Sequence, residues 1–267
     1  MQALLAQLAP APGDLEANLT SLETALQAHP GVELAVFPEL FMCGYEPERA
    51  DELSCPADGQ LIDRVRAAAS RSGTAVVVGF AERTAAGASA NSAACIDRDG
   101  RLAGVYRKTH LFAERERRAF VAGDELLLTS LCGRRVGPLI CFDVEFPEPS
   151  RALSRGGAEL LVTIAANMTP YGPDHDLATR ARAMENRRAH LYVNRVGMAG
   201  ELRFVGESRA IDATGRVRAG AATEAEELLI VEVPEDGVAD SEVDYLKHTR
   251  DGLPLEVVPP ARTQLGE

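Results

Sequence analysis

Short apolar runs recur along this chain and alternate with stretches of helical spacing, and that alternation limits the fold more than any other feature. "ALLAQLA" near the start reads as a buried strand. "PGDLEANLTSLETALQAHPG" then opens on Pro-Gly-Asp, keeps a helical period and stops at Pro-Gly. "VELAVFPEL" is the next strand, "GQLIDRVRAAASRSG" a helix and "TAVVVGF" a third strand. "SAACIDRDGRLAGVYRK" is a hairpin, because Asp-Gly separates two β-type runs. A further strand pair leads through "GRRVGPLICFD". Helix "PEPSRALSRGG", strand "AELLVTIAANM", helix "DLATRARAMENRRA" and strand "HLYVNRVG" follow. A last hairpin turns at "DATGR", and "EELLIVEV" closes the sheet. Helices alternating with strands, with hairpins between, predict an α/β fold whose mixed sheets are covered by helices. No Pro/Gly/Ser-rich linker divides residues 1–267, which read as a single domain. The last ~25 residues are polar and irregular, a tail suited to contacting a partner subunit.

The totals remove several classes of function. A chain of 267 residues can bury a substantial core. Its net charge of −12 opposes binding to nucleic acid and to an anionic membrane surface. No apolar run approaches the ~18 residues of a spanning helix. The start "MQALLAQLAPAPGD" lacks the basic region of a signal peptide, so a cytoplasmic location is expected. Cys43, Cys55, Cys95, Cys132 and Cys141 are scattered and form no CxxC pair. That suits free thiols in a reducing compartment better than a disulfide framework or a zinc site. Neither a metal nor a cofactor is expected.

Three polar residues stand where apolar strands run out: Glu39 after "LAVFP", Lys108 after "GVYR" and Cys141 after "PLI". Side chains at the ends of neighbouring strands can converge on one crevice. There a glutamate can take a thiol proton, while an ammonium holds the thiolate and later an oxyanion. The turn after Cys141 would add the Phe142 N–H as a second oxyanion donor. Taken singly, each residue reads more often as a core thiol or a solvated edge charge.

The segments "FPEL" at 37–40, "YRKTHLF" at 106–112 and "ICFDVEFPE" at 140–148 resemble the three signature blocks of the carbon–nitrogen hydrolase (nitrilase) superfamily. The resemblance runs to about residue 235. It implies a four-layer α-β-β-α sandwich, association as a homodimer or higher homo-oligomer, and a Glu–Lys–Cys triad. On matching positions Glu39 is the general base, Lys108 the oxyanion stabiliser and Cys141 the nucleophile. "ERRAFVAG" puts the family's supporting glutamate at Glu116, with Glu114 the neighbouring candidate and a surface charge in an Arg-rich loop the alternative. His110 would fix the loop after Lys108, and His175 reads as a solvated loop residue. Pro138 and Ala122 depart from the family pattern and touch packing alone.

"ANMTPY", "RARAMEN" and "GESRAI" are similar to a narrower branch, small aliphatic amidases that include 5-aminopentanamidase and R-selective amidases. The implied substrate is a small amide, with Met168 and Tyr171 lining its pocket and Tyr45 and Cys43 shaping a wall. Relatives that cleave N-carbamoyl amino acids carry arginine where this chain has Glu145. A carboxylate there repels an anionic substrate and attracts an ammonium. The alternative roles for Glu145 and for the chain are a hydrogen-bond partner of the triad, and an N-carbamoyl amine hydrolase or nitrilase. Glu185 and Asn186 read as interhelical or solvated.

Overall fold

In the computed structural model, residues 1–233, 245–250 and 253–254 are described. Strands β1 (Gln2–Gln7), β2 (Leu34–Val36), β3 (Ala75–Arg83), β4 (Ser89–Ile96) and β5 (Leu102–Arg107) build one sheet. Strands β6 (Thr129–Leu131), β7 (Arg134–Ile140), β8 (Leu160–Ala165) and β9 (Ala189–Asn194) begin a second. A separate ribbon, β10 (Val196–Ala199) with β11 (Leu202–Val205), interrupts it. The chain then returns as β12 (Arg209–Ile211) and β13 (Val217–Gly220) to complete the second sheet. β14 (Glu227–Glu232) crosses back and pairs antiparallel with β1. Among the described residues each sheet has six strands, in the orders β14-β1-β2-β3-β4-β5 and β13-β12-β9-β8-β7-β6.

Alternation along the strands decides what each face touches. Ala3, Leu5, Val36, Val77 and Ala93 of the first sheet join Val136, Ile140, Val162, Ile164 and Leu191 of the second in one buried cluster. The intervening residues Leu4, Ala6, Val76 and Val78 face outward onto helices α1 (Leu15–Ala28) and α3 (Gln60–Ser72). A short turn of helix, α2 (Ala50–Leu53), lies between these two in the chain. Outside the second sheet, Leu139 and Leu161 pack with Leu153 of α5 (Pro147–Arg155), which contacts α6 (Gly172–Asn186). The layers are helix, sheet, sheet, helix, and the four-layer sandwich is the fold.

Local signals account for the boundaries. Asp14 caps α1, its carboxylate accepting from the Ala17 N–H at 3.0 Å. Gly73 ends α3 at φ +66, a conformation that favours glycine. Pro138 lies inside β7, yet β6 pairs only with Arg134–Val136 of that strand, so the missing donor falls beyond the paired stretch on that side.

Two expectations are corrected. "HLYVNRVG" is not one strand, because β9 ends at Asn194 and β10 leaves the sheet to pair with β11. The "ERERR" segment is a helix, α4 (Ala113–Ala119), not a loop. The C-terminal tail falls mostly outside the described residues. Its described part lies against α5 and α6, with Arg155 donating to Thr249 at 2.6 Å and the Arg187 guanidinium 4.4 Å above the Tyr245 ring. Among the described residues no helix is long and apolar enough to cross a membrane.

Candidate active site

Glu39 sits just beyond β2 in a turn pressed onto β3. A Cβ on Gly79 of β3 would stand 2.4 Å from the Leu40 nitrogen and 2.7 Å from the Glu39 carbonyl carbon, so the contact is possible only without a side chain. Lys108 follows β5 directly, its N–H donating to Asn91 O at 2.9 Å. Cys141 follows β7 and takes φ 48, a left-handed conformation that turns the chain sharply into the 3₁₀ segment Cys141–Glu145. All three strand ends meet on one side of the sandwich.

The polar contacts there are dense. Glu39 Oε1 accepts from Lys108 Nζ and from Asn91 Nδ2, both at 2.7 Å, and Oε2 accepts from the Ala166 N–H at 2.7 Å. Lys108 Nζ also donates to Glu116 at 2.9 and 3.0 Å. Glu116 is held in turn by the Tyr45 hydroxyl at 2.9 Å and the Phe112 N–H at 2.8 Å. Glu39 and Lys108 are wholly buried and Glu116 nearly so. Glu114, by contrast, pairs with Arg117 and Arg118 at the surface, so the choice between the two glutamates falls on Glu116.

Burial opposes charge on Lys108, but Glu116 and Glu39 beside it hold its pKa well above the ordinary lysine value. Burial pushes the Cys141 thiol well above its usual range, Glu39 adding to the effect while Lys108 and the Ala166 N–H pull it back. Burial likewise raises the Glu116 carboxyl, and Lys108 offsets part of that rise. A sulfur, a carboxylate and an ammonium thus act on one another in one buried pocket.

Asp143 ties the Cys141 turn to the Lys108 strand. Its Oδ2 accepts from the Ile140 N–H at 3.0 Å and the Tyr106 hydroxyl at 2.8 Å. Its Oδ1 accepts from the Thr109 hydroxyl and the His110 N–H, both at 2.9 Å. His110 also stacks on Phe146 at 4.2 Å, so it fixes this loop as expected. From the other side Arg182 of α6 donates to Val144 O at 3.0 Å and Glu145 O at 2.8 Å. Sequence reasoning missed both clamps; the one signal was a carboxylate two residues after the cysteine in "CFD".

A narrow cavity opens onto Cys141. Phe112, Phe142 and Tyr171 form an aromatic wall, with ring centroids 5.3 Å (Phe112–Phe142) and 5.4 Å (Phe112–Tyr171) apart. Met168 lines it as well, alongside Ala166 and Asn167. The Asn167 loop is held by Asn194, which accepts from the Asn167 N–H at 2.8 Å, and by the ribbon, where Val205 N–H donates to Asn167 O. Glu145 lines the cavity and faces His175, its carboxylate 3.3 Å from Nε2. Nδ1 of His175 meets the Tyr192 hydroxyl at 2.9 Å.

Several sequence readings change here. His175 is not a solvated loop residue: it lies in α6, 2% exposed, because the Glu145 carboxylate and the Tyr192 hydroxyl satisfy its ring. The Glu145 carboxylate faces that histidine, and among the described residues no hydrogen bond joins it to Glu39, Lys108 or Cys141. Tyr45 is not among the cavity-lining residues, its hydroxyl being spent on Glu116. Cys43 is also absent from the lining; burial pushes its thiol to about 12. Glu185 pairs with Arg182 at 3.0 Å, and Asn186 is buried, donating to Arg182 O.

Comparison with known proteins agrees with this geometry. The carbon-nitrogen hydrolase family model matches residues 3–241. An (R)-stereoselective amidase of a Pseudomonas species is 38% identical over 254 residues, spanning 94% of this chain and 92% of that protein. A probable nitrilase of Schizosaccharomyces pombe is 31% identical over 256 residues, spanning 93% of this chain and 94% of that protein. Among solved structures, the amidase from Nesterenkonia sp. AN1, carrying acrylamide added at its active-site cysteine, superposes with a TM-score of 0.84. It is 29% identical and covers 94% of this chain and 96% of that chain.

Proposed function

The chain belongs to the carbon–nitrogen hydrolase family, and from that premise we propose that it cleaves the C–N bond of a small aliphatic or ω-amino carboxamide, releasing carboxylate and ammonia through a cysteine thioester. The observation that carries this reading is the Glu39–Lys108–Glu116 cluster set against Cys141 at the mouth of a small cavity. The amidase relatives support the reaction class.

The chemistry follows from the charges. With Cys141 buried and Glu39 and Glu116 outnumbering Lys108, a third anion on sulfur is resisted, so the resting nucleophile is a thiol. Its proton passes to Glu39 as sulfur bonds to the amide carbon. Negative charge then develops on the amide oxygen, where Lys108 and the Phe142 N–H receive it. Glu39 returns the proton to nitrogen, the C–N bond breaks and ammonia leaves. Water attacks the thioester, Glu39 taking its proton, and the carboxylate departs with the thiol restored. Glu116 holds the ammonium in place and keeps it charged throughout.

Size and charge select the substrate. The cavity beside Cys141 is narrow and walled by aromatic rings, so the acyl part is short. The aromatic wall and the Glu145 carboxylate favour neutral chains and chains ending in an ammonium, and disfavour the carboxylate of N-carbamoyl amino acids.

A panel of short amides, ω-amino amides, N-carbamoyl compounds and nitriles, scored for ammonia, tests this directly. Ammonia from amides without carbon dioxide, together with an acyl-sized mass increment located at Cys141, is the expected result. Turnover surviving in Cys141→Ala, or confined to carbamoyl compounds or nitriles, refutes it.

A further inference from the structure

Glu39 is not held by Lys108 alone. Asn91, wholly buried in β4, donates its side-chain amide to Glu39 Oε1 at 2.7 Å, on the same oxygen that Lys108 occupies. Its backbone carbonyl accepts the Lys108 N–H at 2.9 Å. One residue therefore fixes the carboxylate by its side chain and the ammonium by its main chain. β4 lies between β3, which presses on the Glu39 turn, and β5, which delivers Lys108.

The orientation of that amide is forced. Its Oδ1 is buried and has no partner among the described residues. Turning the amide over would set this oxygen against Glu39 Oε1, two acceptors in contact. The protein thus keeps a buried carbonyl unpaired in order to aim an N–H at the carboxylate.

Two donors on Oε1 leave it little capacity to receive a proton. Among the described residues Oε2 accepts only the Ala166 N–H, a group that also faces the Cys141 sulfur. We infer that Asn91 is a positioning residue, which occupies Oε1 and directs proton transfer between Cys141 and Glu39 to Oε2. The inference rests on the reading of Glu39 as the general base.

Hydrogen bonds to a charged carboxylate lower its pKa, so removing one raises it. In the pH profile of kcat/KM on a neutral amide such as butyramide, Asn91→Leu is expected to move the acid limb up by about one unit. At pH values below that limb turnover falls roughly tenfold. KM should stay within about threefold, because Asn91 does not line the cavity. Asn91→Asp, nearly isosteric and thus informative even if the leucine variant does not fold, sets a second carboxylate beside Glu39 and is expected to move the limb further. A purely structural role scales the profile and leaves its limb in place. Superimposable limbs in folded variants overturn the inference. Glu39→Gln in the same series separates the two claims: an active Glu39→Gln removes the general-base reading, whereas an inactive one with unmoved Asn91 limbs removes only the role of Asn91.

Discussion

Glu145 is the ionisable cavity residue whose charge bears most directly on substrate choice, and Glu145→Gln removes that charge with almost no change in shape. Its side chain is 28% exposed and its carboxylate stands 3.3 Å from His175 Nε2. A substrate ammonium about 4 Å away would be attracted by about 4 kcal/mol at an effective dielectric of ~20. Partial exposure screens this, and the histidine already occupies one carboxylate oxygen, so about half should survive. A loss of about 2 kcal/mol is roughly 30-fold in kcat/KM. Initial rates of ammonia release from 5-aminopentanamide and butyramide, measured side by side on both proteins, check it. The cationic amide is expected to lose roughly 30-fold and the neutral one less than about threefold. Equal losses on both amides would mean that Glu145 acts through His175 on the shape of the cavity, and the charge-selection reasoning would be wrong.

Glu116→Gln leaves Lys108 facing one carboxylate instead of two, so its ammonium is less well held. We expect kcat to drop by on the order of 100-fold and KM to change little, as steady-state kinetics will report. Gly79→Ala drives a methyl into the backbone of residues 38–40. Displacing Glu39 by even about 1 Å is expected to cost on the order of 100-fold in kcat while circular dichroism stays native. His190, buried and neutral, has its pKa lowered by burial from 6.5 to about 4. Its Nε2 meets the Thr163 hydroxyl at 2.8 Å and its Nδ1 meets Thr179 O at 3.2 Å, so one nitrogen donates and the other accepts. Below pH 6.5 the unfolded chain binds a proton that the folded one refuses, and stability falls with pH down to about 4. Denaturant titrations across that window should lose about 3 kcal/mol more in the wild type than in His190→Asn.

The elements were legible because their signals are local. Asp14, Gly73 and the Asp99-Gly100 turn mark ends without reference to the rest of the chain. Glu39, Lys108 and Cys141 stood out because each is a polar residue at the end of an apolar run. What stayed hidden depends on partners far along the chain. Asn91 meets Glu39 across 52 positions, Arg182 meets Val144 across 38 and Asp143 meets Tyr106 across 37. His175 looked solvated because nothing near it in sequence announces Tyr192 or Glu145. The ribbon β10–β11 was unread because glycines at 197 and 200 break up the apolar pattern of its short strands. Tyr45 was aromatic and close to Glu39 in sequence, yet its hydroxyl had a buried carboxylate to satisfy.

Glu39 and Lys108 hang from one slab of the sandwich, whereas Cys141 and Ala166 belong to the other. Between the slabs runs a seam of largely apolar side chains, crossed near the site by a few directional bonds, from the Ala166 N–H to Glu39 and from Tyr106, Thr109 and His110 to Asp143. A displacement of about an ångström would part the base from the sulfur while both ladders stayed intact. Turnover in this molecule is therefore a strain gauge for that seam, and mild denaturant or pressure should silence the reaction well before the backbone signal reports any melting.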